Sequence, residues 1–461
     1  MITRLRIQNF KAWKDTQSIR LAPITVFFGA NSAGKTSLHQ LLLMLKQTAQ
    51  SSDRQRVLHP GGDQSIVDLG TVQDLVFAHQ GTARIEFEIE WSLNAELRVK
   101  DTLAETEYRG ERMSFAAKIA PRDGKLPSLV VENMRYQLGV AAEGGLAVQM
   151  IEQPNFPGRY EIACDGPPLV RQRGRAWPLP APIRFYGFPD EVRAYFQNAD
   201  FVADLTLAFE QMLSGLHYLG PLREYPRRTY MWSGERPEHV GTRGASAVEA
   251  LLAARDRFLN RRPKAKKEPF ERVVARWLKA MGLIEEFEVH RVAPHLKEYE
   301  VRVRTAGSPH MVSLMDVGFG VSQVLPVLVE CFYVPSGATI IFEQPEIHLH
   351  PRVQAKLADL FIEAIHMREA GKSRGVQLII ESHSEHFLRR LQLGIAEEKL
   401  KPEEAALYFC EPGSEGSRIH ELQLDLFGNI DNWPDSFFGD ELGDLAAMND
   451  AAMQRSERTR S

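Results

Sequence analysis

The sequence predicts an α/β protein built on a mixed sheet flanked by helices. Three apolar runs have the composition of buried strands: ITVFF at 24–28, ATIIFE at 338–343 and VQLIIE at 376–381. The first two are each followed by a segment with helical apolar spacing. This alternation of strand and helix is typical of sheets whose strands run parallel.

Bulk composition limits the classes of protein that the chain can belong to. Its 461 residues are enough for two or three domains at about 150 residues each. A hydrophobic content of 44% and a charged content of 25% are ordinary for a globular protein. Because the net charge is only −4, contact with DNA or RNA would need a local basic patch.

The cysteines and the apolar segments predict a cytoplasmic protein with no membrane contact. The three cysteines offer neither a metal-binding pair nor an even disulfide framework. The opening residues MITRLRIQNF lack the apolar core of a signal peptide. The longest apolar stretch, from Val324 to Phe342, is interrupted by Glu330 and by two prolines, so it is a poor membrane span. The cysteines are Cys164, Cys331 and Cys410.

The first strand leads into a glycine-rich loop with the spacing of a phosphate-binding site. Gly29 is followed after four residues by Gly34, Lys35 and Thr36, and then by the helical segment SLHQLLLMLKQ. Glycines let the backbone approach a phosphate closely, and the helix N-terminus adds a partial positive charge. We expect Lys35 to reach the β- and γ-phosphates and the Thr36 hydroxyl to ligate Mg²⁺.

A second glycine-led helix and a second strand with a polar end complete the pattern. In MDVGFGVSQVLPVLVECF (315–332), glycines precede a helix that is expected to open at Val321, which gives another potential anion site. The strand that ends at Glu343 follows, then a helix expected from Val353 to Met367. The last strand leads to the sequence Ser-His-Ser, whose histidine is His383.

The order of these four motifs resembles the ATP-binding-cassette (ABC) heads of the RecF, SMC and OLD (overcoming lysogenization defect) families. The resemblance covers roughly 1–80 and 290–400. Three phrases, HYLGPLREYPRRTY, EQPEIHLHP and GNIDNWPDSFF, are similar to the OLD-like ATPases of bacterial defence operons, including the PtuA-type ATPases. The fold class that this implies is an ABC-type P-loop ATPase head.

The resemblance also implies site residues and cofactors, namely ATP and Mg²⁺. Glu343 occupies the magnesium-side acid, Gln344 the position of the catalytic glutamate, and His383 the histidine that senses the γ-phosphate. A metal-contacting glutamine is expected after the first helix, so the implied metal ligands are Thr36, Gln73 and Glu343, with a solvated loop glutamine as the alternative for Gln73. The implied nucleotide contacts are Gly29, Asn31, Ser32, Ala33, Gly34, Lys35, Thr36 and Ser37 in the first loop, and Gly318, Gly320, Ser322 and Gln323 in a signature loop that contacts the γ-phosphate of the opposite subunit. This second loop departs from the usual Leu-Ser-Gly-Gly-Gln.

Gln344 raises a question because an amide has no useful basicity near neutral pH. Glu346 could act as the base, or His383 or Glu381 could assist. Hydrolysis could instead be slow, with a long-lived ATP-bound dimer. In the last alternative Gln344 orients the attacking water, as a glutamine does in small GTPases, and the rate is ordinary. His348 and His350 are predicted to form a structural turn rather than a metal site.

Between the two halves of the head the sequence predicts a compact insert with strands and helices. Alternating stretches at 83–93 and 112–120 indicate antiparallel strands, and 203–216 and 269–282 have helical spacing. No sustained heptad pattern predicts a long coiled coil. The segment 5–15 is expected to be an edge strand leading into a turn. The predicted units are the first part of the head at 1–80, a β-rich insert at 81–190, a helical insert at 191–290, the second part of the head at 291–400, and C-terminal strands with a tail at 401–461.

Two basic segments could contact phosphates. The segment 254–268 is either a nucleic-acid contact or a solvated surface, and the segment 221–230 has either a structural role or an arginine that reaches a nucleotide across the dimer. The basic residues are Arg255, Arg257, Arg261, Arg262, Lys264, Lys266 and Lys267 in the first segment, and Arg223, Arg227 and Arg228 in the second.

The resemblance implies an ATPase that closes head to head as a homodimer or a higher even oligomer. The expected role is control of a separate effector protein from the same operon, for which a nuclease is one candidate, in antiphage defence. The alternatives are a RecF-like DNA-repair ATPase that acts on DNA directly and a nucleotide-locked scaffold whose hydrolysis rate hardly matters.

Overall fold

The computed structural model describes residues 1–63, 65–80, 83–122, 128–139 and 144–434, together with residues 447, 448, 451, 452 and 455. Most of the predicted C-terminal tail therefore lies outside the described residues. The strands are β1 Ile2–Phe10, β2 Trp13–Asp15, β3 Ile19–Arg20, β4 Ile24–Gly29, β5 Ile85–Lys100, β6 Glu107–Arg122, β7 Ser128–Leu138, β8 Leu146–Glu152, β9 Tyr160–Asp165, β10 Leu216–Leu219, β11 Tyr230–Met231, β12 Phe258–Asn260, β13 Glu268–Pro269, β14 Glu286–Arg291, β15 Glu298–Arg304, β16 Val312–Ser313, β17 Thr339–Glu343, β18 Arg368–Glu369, β19 Lys372–Ser373, β20 Gln377–Glu381, β21 Ala405–Glu411 and β22 Arg418–Leu422. The helices are α1 Lys35–Gln50, α2 Val72–Leu75, α3 Asp190–Tyr195, α4 Val202–Ser214, α5 Ala247–Ala253, α6 Phe270–Ala280, α7 Phe319–Tyr333, α8 Pro351–His366 and α9 Glu385–Ala396.

A six-stranded sheet contains the three apolar strands that the sequence predicted, in the order β10-β17-β20-β4-β21-β22. Its first five strands are parallel, and β22 pairs antiparallel with β21. Side chains alternate between two hydrophobic cores, so that Val26 and Phe28 lie in one core and Phe27 lies in the other. Because both faces are covered, these strands are apolar at nearly every position, which is why the sequence identified them.

The N-terminal strand belongs to a separate eight-stranded antiparallel sheet with the order β2-β1-β5-β6-β7-β8-β9, in which β3 also pairs with β1. The turn after Phe10 is as expected, but the predicted edge position is wrong, because β5 pairs with the free side of β1 from Ile2 to Gln8. That pairing joins segments about 80 residues apart, so local alternation could not indicate it. The predicted antiparallel pairing of the stretches at 83–93 and 112–120 is confirmed by β5 and β6.

Helix α4 covers one face of the antiparallel sheet. Phe209 on this helix packs against Trp91 and Phe115, with ring centroids 5.5 and 4.5 Å apart. The same helix contacts α1, which begins at the phosphate-loop candidate. The antiparallel sheet is thus packed against the helix that follows the phosphate-loop candidate through α4.

The two sheets are also joined directly by a buried glutamine. Gln377, the first residue of β20, donates its amide hydrogen to the carbonyl oxygen of Ile2 at 2.7 Å and accepts from the Ile2 N–H at 3.0 Å. These bonds fix β1 against the start of a strand whose far end carries candidate site residues. Among the described residues, none of the helices has the length and apolar character needed to cross a bilayer.

Candidate active site

The site begins where β4 ends and α1 starts. Gly29 has a φ of 137°, and a Cβ on this residue would lie 2.0 Å from the carbonyl oxygen of Cys410 on the neighbouring strand β21. Gly34 has a φ of 82°, in the left-handed region, and a Cβ there would meet the Ser417 hydroxyl at 2.9 Å. Glycine is therefore required at both positions by backbone conformation and by close packing. Between them, residues 30–32 are exposed.

Lys35 folds back over this loop. Its ammonium group donates to the carbonyl oxygens of Gly29 and Ala30 at 3.0 and 2.7 Å and lies 3.9 Å from a carboxylate oxygen of Glu381. Burial lowers the pKa of Lys35, and the negative charge of Glu381 opposes that shift. The lysine is thus held at the loop by carbonyl oxygens that a phosphate would replace as its partner.

Two acids end adjacent strands at the same edge of the sheet. Glu343 ends β17 and Glu381 ends β20, and the two residues are direct partners in the parallel register. The Thr36 hydroxyl donates to Glu381 at 2.8 Å. The structure therefore joins Lys35 and Thr36 to Glu381, and Glu381 in turn lies beside Glu343.

Burial and mutual repulsion perturb both acids. The pKa of Glu343 is raised to about 7, first by burial and then by the charge of Glu381, while a hydrogen bond from Tyr218 opposes the shift. Burial also raises the pKa of Glu381, against hydrogen bonds from Thr36 and Gln344 and the charge of Lys35. Two carboxyl groups that resist ionisation together are suited to hold a cation.

Gln344 is committed to Glu381 through both its main chain and its side chain. Its N–H donates to the carbonyl oxygen of Glu381 at 2.9 Å, and its side-chain amide is close enough to the Glu381 carboxylate to lower the pKa of that acid. The φ of Gln344 is 43°, in the left-handed region. An amide with this partner has less capacity left to orient a water molecule.

Glu346 lies beneath the loop that carries His383. One carboxylate oxygen of Glu346 accepts from the Ser382 hydroxyl at 2.8 Å and from the His383 N–H at 2.7 Å. Burial raises the pKa of Glu346 despite these bonds. Burial also lowers the pKa of His383, with the charge of Lys35 as the second cause, so the imidazole favours its neutral form. Glu346 thus holds the loop that carries His383.

Arg223 lies in the basic segment for which the sequence left two alternatives, a structural role or contact with a nucleotide across the dimer. It is 5% exposed, and none of its three guanidinium nitrogens has a hydrogen-bond partner in the described part of the chain. Burial lowers its pKa to about 10, and the charge of Glu346 opposes this. Arg223 follows β10, the neighbour of β17, at the same sheet edge. A buried unpaired guanidinium is costly and is suited to receive an anion.

The signature-loop candidate surrounds the start of α7, which begins at Phe319, two residues earlier than predicted. Gly318 is the exposed N-cap residue, and the Ser322 hydroxyl donates to the Phe319 carbonyl oxygen at 2.7 Å. Gly320 and Gln323 lie further along the same helix. Over the described residues, no hydrogen bond or ion pair joins 318–323 to the phosphate loop at 29–37.

Gln73 is exposed on the short helix α2, and the only hydrogen bonds that the described residues show for it are to its backbone carbonyl oxygen. The structure therefore does not bring it onto Thr36 or Glu343, and its metal role stays a prediction.

His350 caps α8, where its ring accepts from the Arg352 N–H at 3.2 Å. The ring of His348 packs against Phe319 at 5.4 Å. Both histidines thus have structural contacts.

The basic segment at 254–268 divides into paired and unpaired residues. Arg257 binds Glu369 at 2.8 Å, while Arg255 and Arg261 lie 3.8 and 3.6 Å from carboxylates. The rest are exposed and have no ion pair with any described residue. They are Arg262, Lys264, Lys266 and Lys267. Any nucleic-acid contact would therefore depend on these four residues.

The residues at the sheet edge fit ATP with Mg²⁺. An exposed glycine loop at a helix N-terminus provides N–H groups for phosphates, and the Thr36 hydroxyl with the Glu343 carboxylate provides the oxygen ligands that Mg²⁺ prefers.

Comparison with protein families supports an ATPase. Residues 1–138 match the family described as "AAA ATPase domain", and residues 250–389 match "AAA domain, putative AbiEii toxin, Type IV TA system". Residues 400–448 match "Protein of unknown function (DUF3696)". The first two matches contain the phosphate loop and the two acids, respectively. The chain therefore carries ATPase sequence of the AAA type on both sides of its centre. No curated protein matches the chain.

Among solved structures, the chain is similar to heads of SMC proteins. The SMC head domain from Thermotoga maritima has 11% identity and a TM-score of 0.40, with coverage of 92% of this chain and 99% of that chain. An SMC head bound to the C-terminal winged-helix domain of ScpA has 10% identity and a TM-score of 0.44, with coverage of 92% and 98%. An SMC head from Pyrococcus furiosus has 10% identity and a TM-score of 0.41, with coverage of 100% and 99%.

Proposed function

We propose that this ATPase closes head to head around ATP and that closure controls a partner effector protein. One observation carries the proposal: the phosphate loop and the glycine-led start of α7 are both exposed, and no described hydrogen bond or ion pair joins them. Each is half of an anion site. A second copy related by two-fold symmetry would complete both halves at once.

The surface beside the start of α7 has the character of an interface. Tyr225 is 77% exposed and packs its ring 5.6 Å from that of Phe319, which is itself 39% exposed. Leu222 and Met315 are also exposed nearby in the chain. Aromatic residues and methionine are enriched at interface cores, and exposed apolar clusters of this kind mark contact surfaces.

Within one half-site, each residue has a defined role. Lys35 exchanges its carbonyl partners for phosphate oxygens, and Arg223 supplies a second buried positive charge at the sheet edge. Thr36 and Glu343 would hold Mg²⁺, which neutralises phosphate charge and orients the nucleotide when bound. Glu346 accepts from the His383 N–H and so holds the His383 loop in place. Loss of the contact between His383 and the γ-phosphate would therefore be felt by this loop.

Hydrolysis in this arrangement is slow. The position that would hold a general base carries Gln344, whose backbone N–H is bonded to Glu381 and whose side-chain amide faces the Glu381 carboxylate. General-base assistance contributes about 10²–10⁴-fold, so its absence slows turnover without abolishing it. A slow reaction prolongs the closed state, which suits a switch that reports on its nucleotide rather than a motor.

The defence role rests on resemblance. The motif phrases are similar to OLD-like ATPases of bacterial defence operons, and the family matched at 250–389 has a toxin and a toxin–antitoxin system in its description. We propose an effector from the same operon as the partner, with a nuclease as the first candidate. Direct action on DNA, as in RecF-like repair, is the alternative. It is favoured only by the four unpaired basic residues at 262–267.

Sedimentation of the full chain with ATP, ADP or no nucleotide tests closure. We expect a shift from monomer to dimer, or from a dimer to a higher even oligomer, when ATP and Mg²⁺ are present. We expect no shift with ADP, without nucleotide, or in a Lys35→Ala variant. Co-purification with operon neighbours under the same conditions tests the partner. An ATP-independent oligomer with unchanged partner binding in the Lys35→Ala variant would contradict the proposal.

The DNA alternative has its own test. Neutralising Arg262, Lys264, Lys266 and Lys267 would abolish DNA-stimulated turnover if the chain acts on DNA. A matched control neutralises Arg109 and Arg112, which are exposed on β6. We expect no DNA stimulation in the wild type, and a stimulation that only the first variant loses would favour the repair function.

A further inference from the structure

Three buried side chains from three elements converge beside the phosphate loop. They are His39 on α1, Glu343 at the end of β17 and Glu381 at the end of β20. Each offers one ligand atom, and these atoms all lie within 4.8 Å of one another. The distances suit a cluster that could close around a single cation after small side-chain movements.

His39 is the member that ordinary packing does not explain. It is 1% exposed, and neither ring nitrogen has a hydrogen-bond partner among the described residues. Burying a polar ring without a partner is unfavourable, so such groups usually have a reason to persist. His39 lies one helical turn after Lys35, with its ring 5.6 Å from that of Phe27 on β4. A metal ion would provide the partner that its free nitrogen lacks.

The two carboxylates have too little positive charge around them. The one ion pair found for Glu381 in the described structure is with Lys35 at 3.9 Å, and Glu343 has none there. Lys35 directs its hydrogen bonds to the Gly29 and Ala30 carbonyl oxygens instead. Once ATP draws Lys35 to its phosphates, the two acids would need either a bound proton or a metal ion between them.

We infer that His39, Glu343 and Glu381 form a divalent-cation site that is assembled before nucleotide binds. The inference rests on the proposed ATPase site and extends its metal ligands to His39 and Glu381. Mg²⁺ is usually held by one or two carboxylates together with substrate phosphates, and not by a cage of protein ligands. An imidazole nitrogen suits first-row transition cations such as Fe²⁺ and Zn²⁺ better than it suits Mg²⁺, and Mn²⁺, which the two carboxylates suit, is the paramagnetic probe for this ligand set.

Manganese titration of the nucleotide-free full chain, followed by electron paramagnetic resonance, tests this site. We expect one tightly bound Mn²⁺ per chain, with nitrogen-14 modulation of its signal from the imidazole. The Glu381→Gln variant is expected to lose at least about 10-fold in Mn²⁺ affinity, because losing a ligand is worse than losing a residue that supports one. The His39→Gln variant is expected to lose the nitrogen modulation.

A second variant separates metal loss from misfolding. His39→Leu removes an unpaired buried imidazole, so we expect this variant to fold with an equal or higher melting temperature while losing the Mn²⁺ nitrogen signal. If Mn²⁺ binds the wild type only together with ATP, or binds with no nitrogen modulation, the inference is overturned. In that case ATP-dependent closure measured by sedimentation would still stand. Loss of closure with an intact Mn²⁺ site would instead refute the proposed function.

Discussion

Thr36 donates its hydroxyl hydrogen to Glu381 across 2.8 Å, although the acid expected to lie beside it from sequence was Glu343. The Gln344 side chain lowers the pKa of the same Glu381 carboxylate, and Glu381 is the partner of Glu343 in the parallel register. Glu381 therefore links the phosphate loop to the strand that carries the acid and amide pair. We therefore expect the charge and the contacts of the Glu381 carboxylate to determine how a cation and the attacking water are held.

Gln344→Glu would restore a carboxylate at the general-base position. Because general-base assistance contributes about 10²–10⁴-fold, we expect single-turnover ATP hydrolysis to accelerate by about 10²-fold or less, since repulsion from Glu381 removes part of the gain. Rapid quench with excess enzyme measures this step directly. Gln344→Ala, which removes the bond to Glu381 without adding a base, is the control and should not accelerate. A slower Gln344→Glu variant would mean that the amide itself orients water.

We expect Arg223 to destabilise the nucleotide-free protein and to stabilise its complex with ATP. Replacing this unpaired buried charge by methionine is expected to raise the unfolding free energy without nucleotide by about 1–3 kcal/mol. The rise in melting temperature produced by ATP and Mg²⁺ should shrink in the same variant, because an anion contact is lost. Scanning fluorimetry with and without ATP measures both effects. A destabilised Arg223→Met variant with a full ATP response would show that the arginine is structural.

Glu330 gives a pH prediction outside the nucleotide site. It is fully buried on α7, its pKa is raised by burial from 4.5 to about 7, and it accepts from the Val240 N–H at 3.0 Å. The charge of Lys46 opposes this shift, and a ring nitrogen of His217 lies 3.8 Å away. The folded state therefore binds this proton more tightly than the unfolded chain does. The stability it contributes is present below pH 4.5 and is lost as the pH rises through about 7.

The Glu330→Gln variant should not show this loss, since its amide stays neutral. We expect the variant to exceed the wild type in unfolding free energy at pH 8 by about 2–3 kcal/mol, and the difference to shrink towards pH 5. Urea unfolding across this pH range measures the difference. Other buried acids contribute to both proteins equally, so the comparison isolates this residue. A difference independent of pH would contradict the assignment.

Local pattern explains what the sequence could predict. The passage from β4 through Gly34 into α1 depends on neighbouring residues, and it was found from glycine spacing and an apolar run. Glu343 was found because an acid after a buried strand is conspicuous. Glu381 ends its strand in the same way, but its contact with Thr36 depends on the sheet order that places β20 between β17 and β4.

The sequence could not show that the side chains of His39 and Arg223 are buried without hydrogen-bond partners among the described residues. His39 occupies an apolar helical face, where a histidine is usually a packed core residue, and only the structure shows that both ring nitrogens are unpaired. Arg223 belongs to a basic segment, and charge runs usually lie on the surface. The burial of its guanidinium follows from how β10 ends beside the acid strand. The predicted edge position of β1 was wrong because β1 pairs with β5, which is distant in the sequence.

The central claim is that each active site takes its phosphate loop from one subunit and its glycine-led helix start from another. Lys35→Ala disables the first element. Gly318→Asp disables the second. Gly318 has a φ of −56° and open space where a Cβ would lie, so an aspartate is accommodated at this N-cap position. The negative charge of the aspartate would repel an incoming phosphate. Gly318→Asn, a neutral N-cap of the same shape, is the matched control and should keep its activity.

Mixing the two inactive variants, Lys35→Ala and Gly318→Asp, and measuring ATP hydrolysis tests this claim most directly. A mixed dimer contains one site with both elements intact, so free subunit exchange should restore about a quarter of wild-type turnover. A mixture that stays as inactive as its components under conditions of proven exchange, or a Gly318→Asp protein that is fully active alone, would contradict the account.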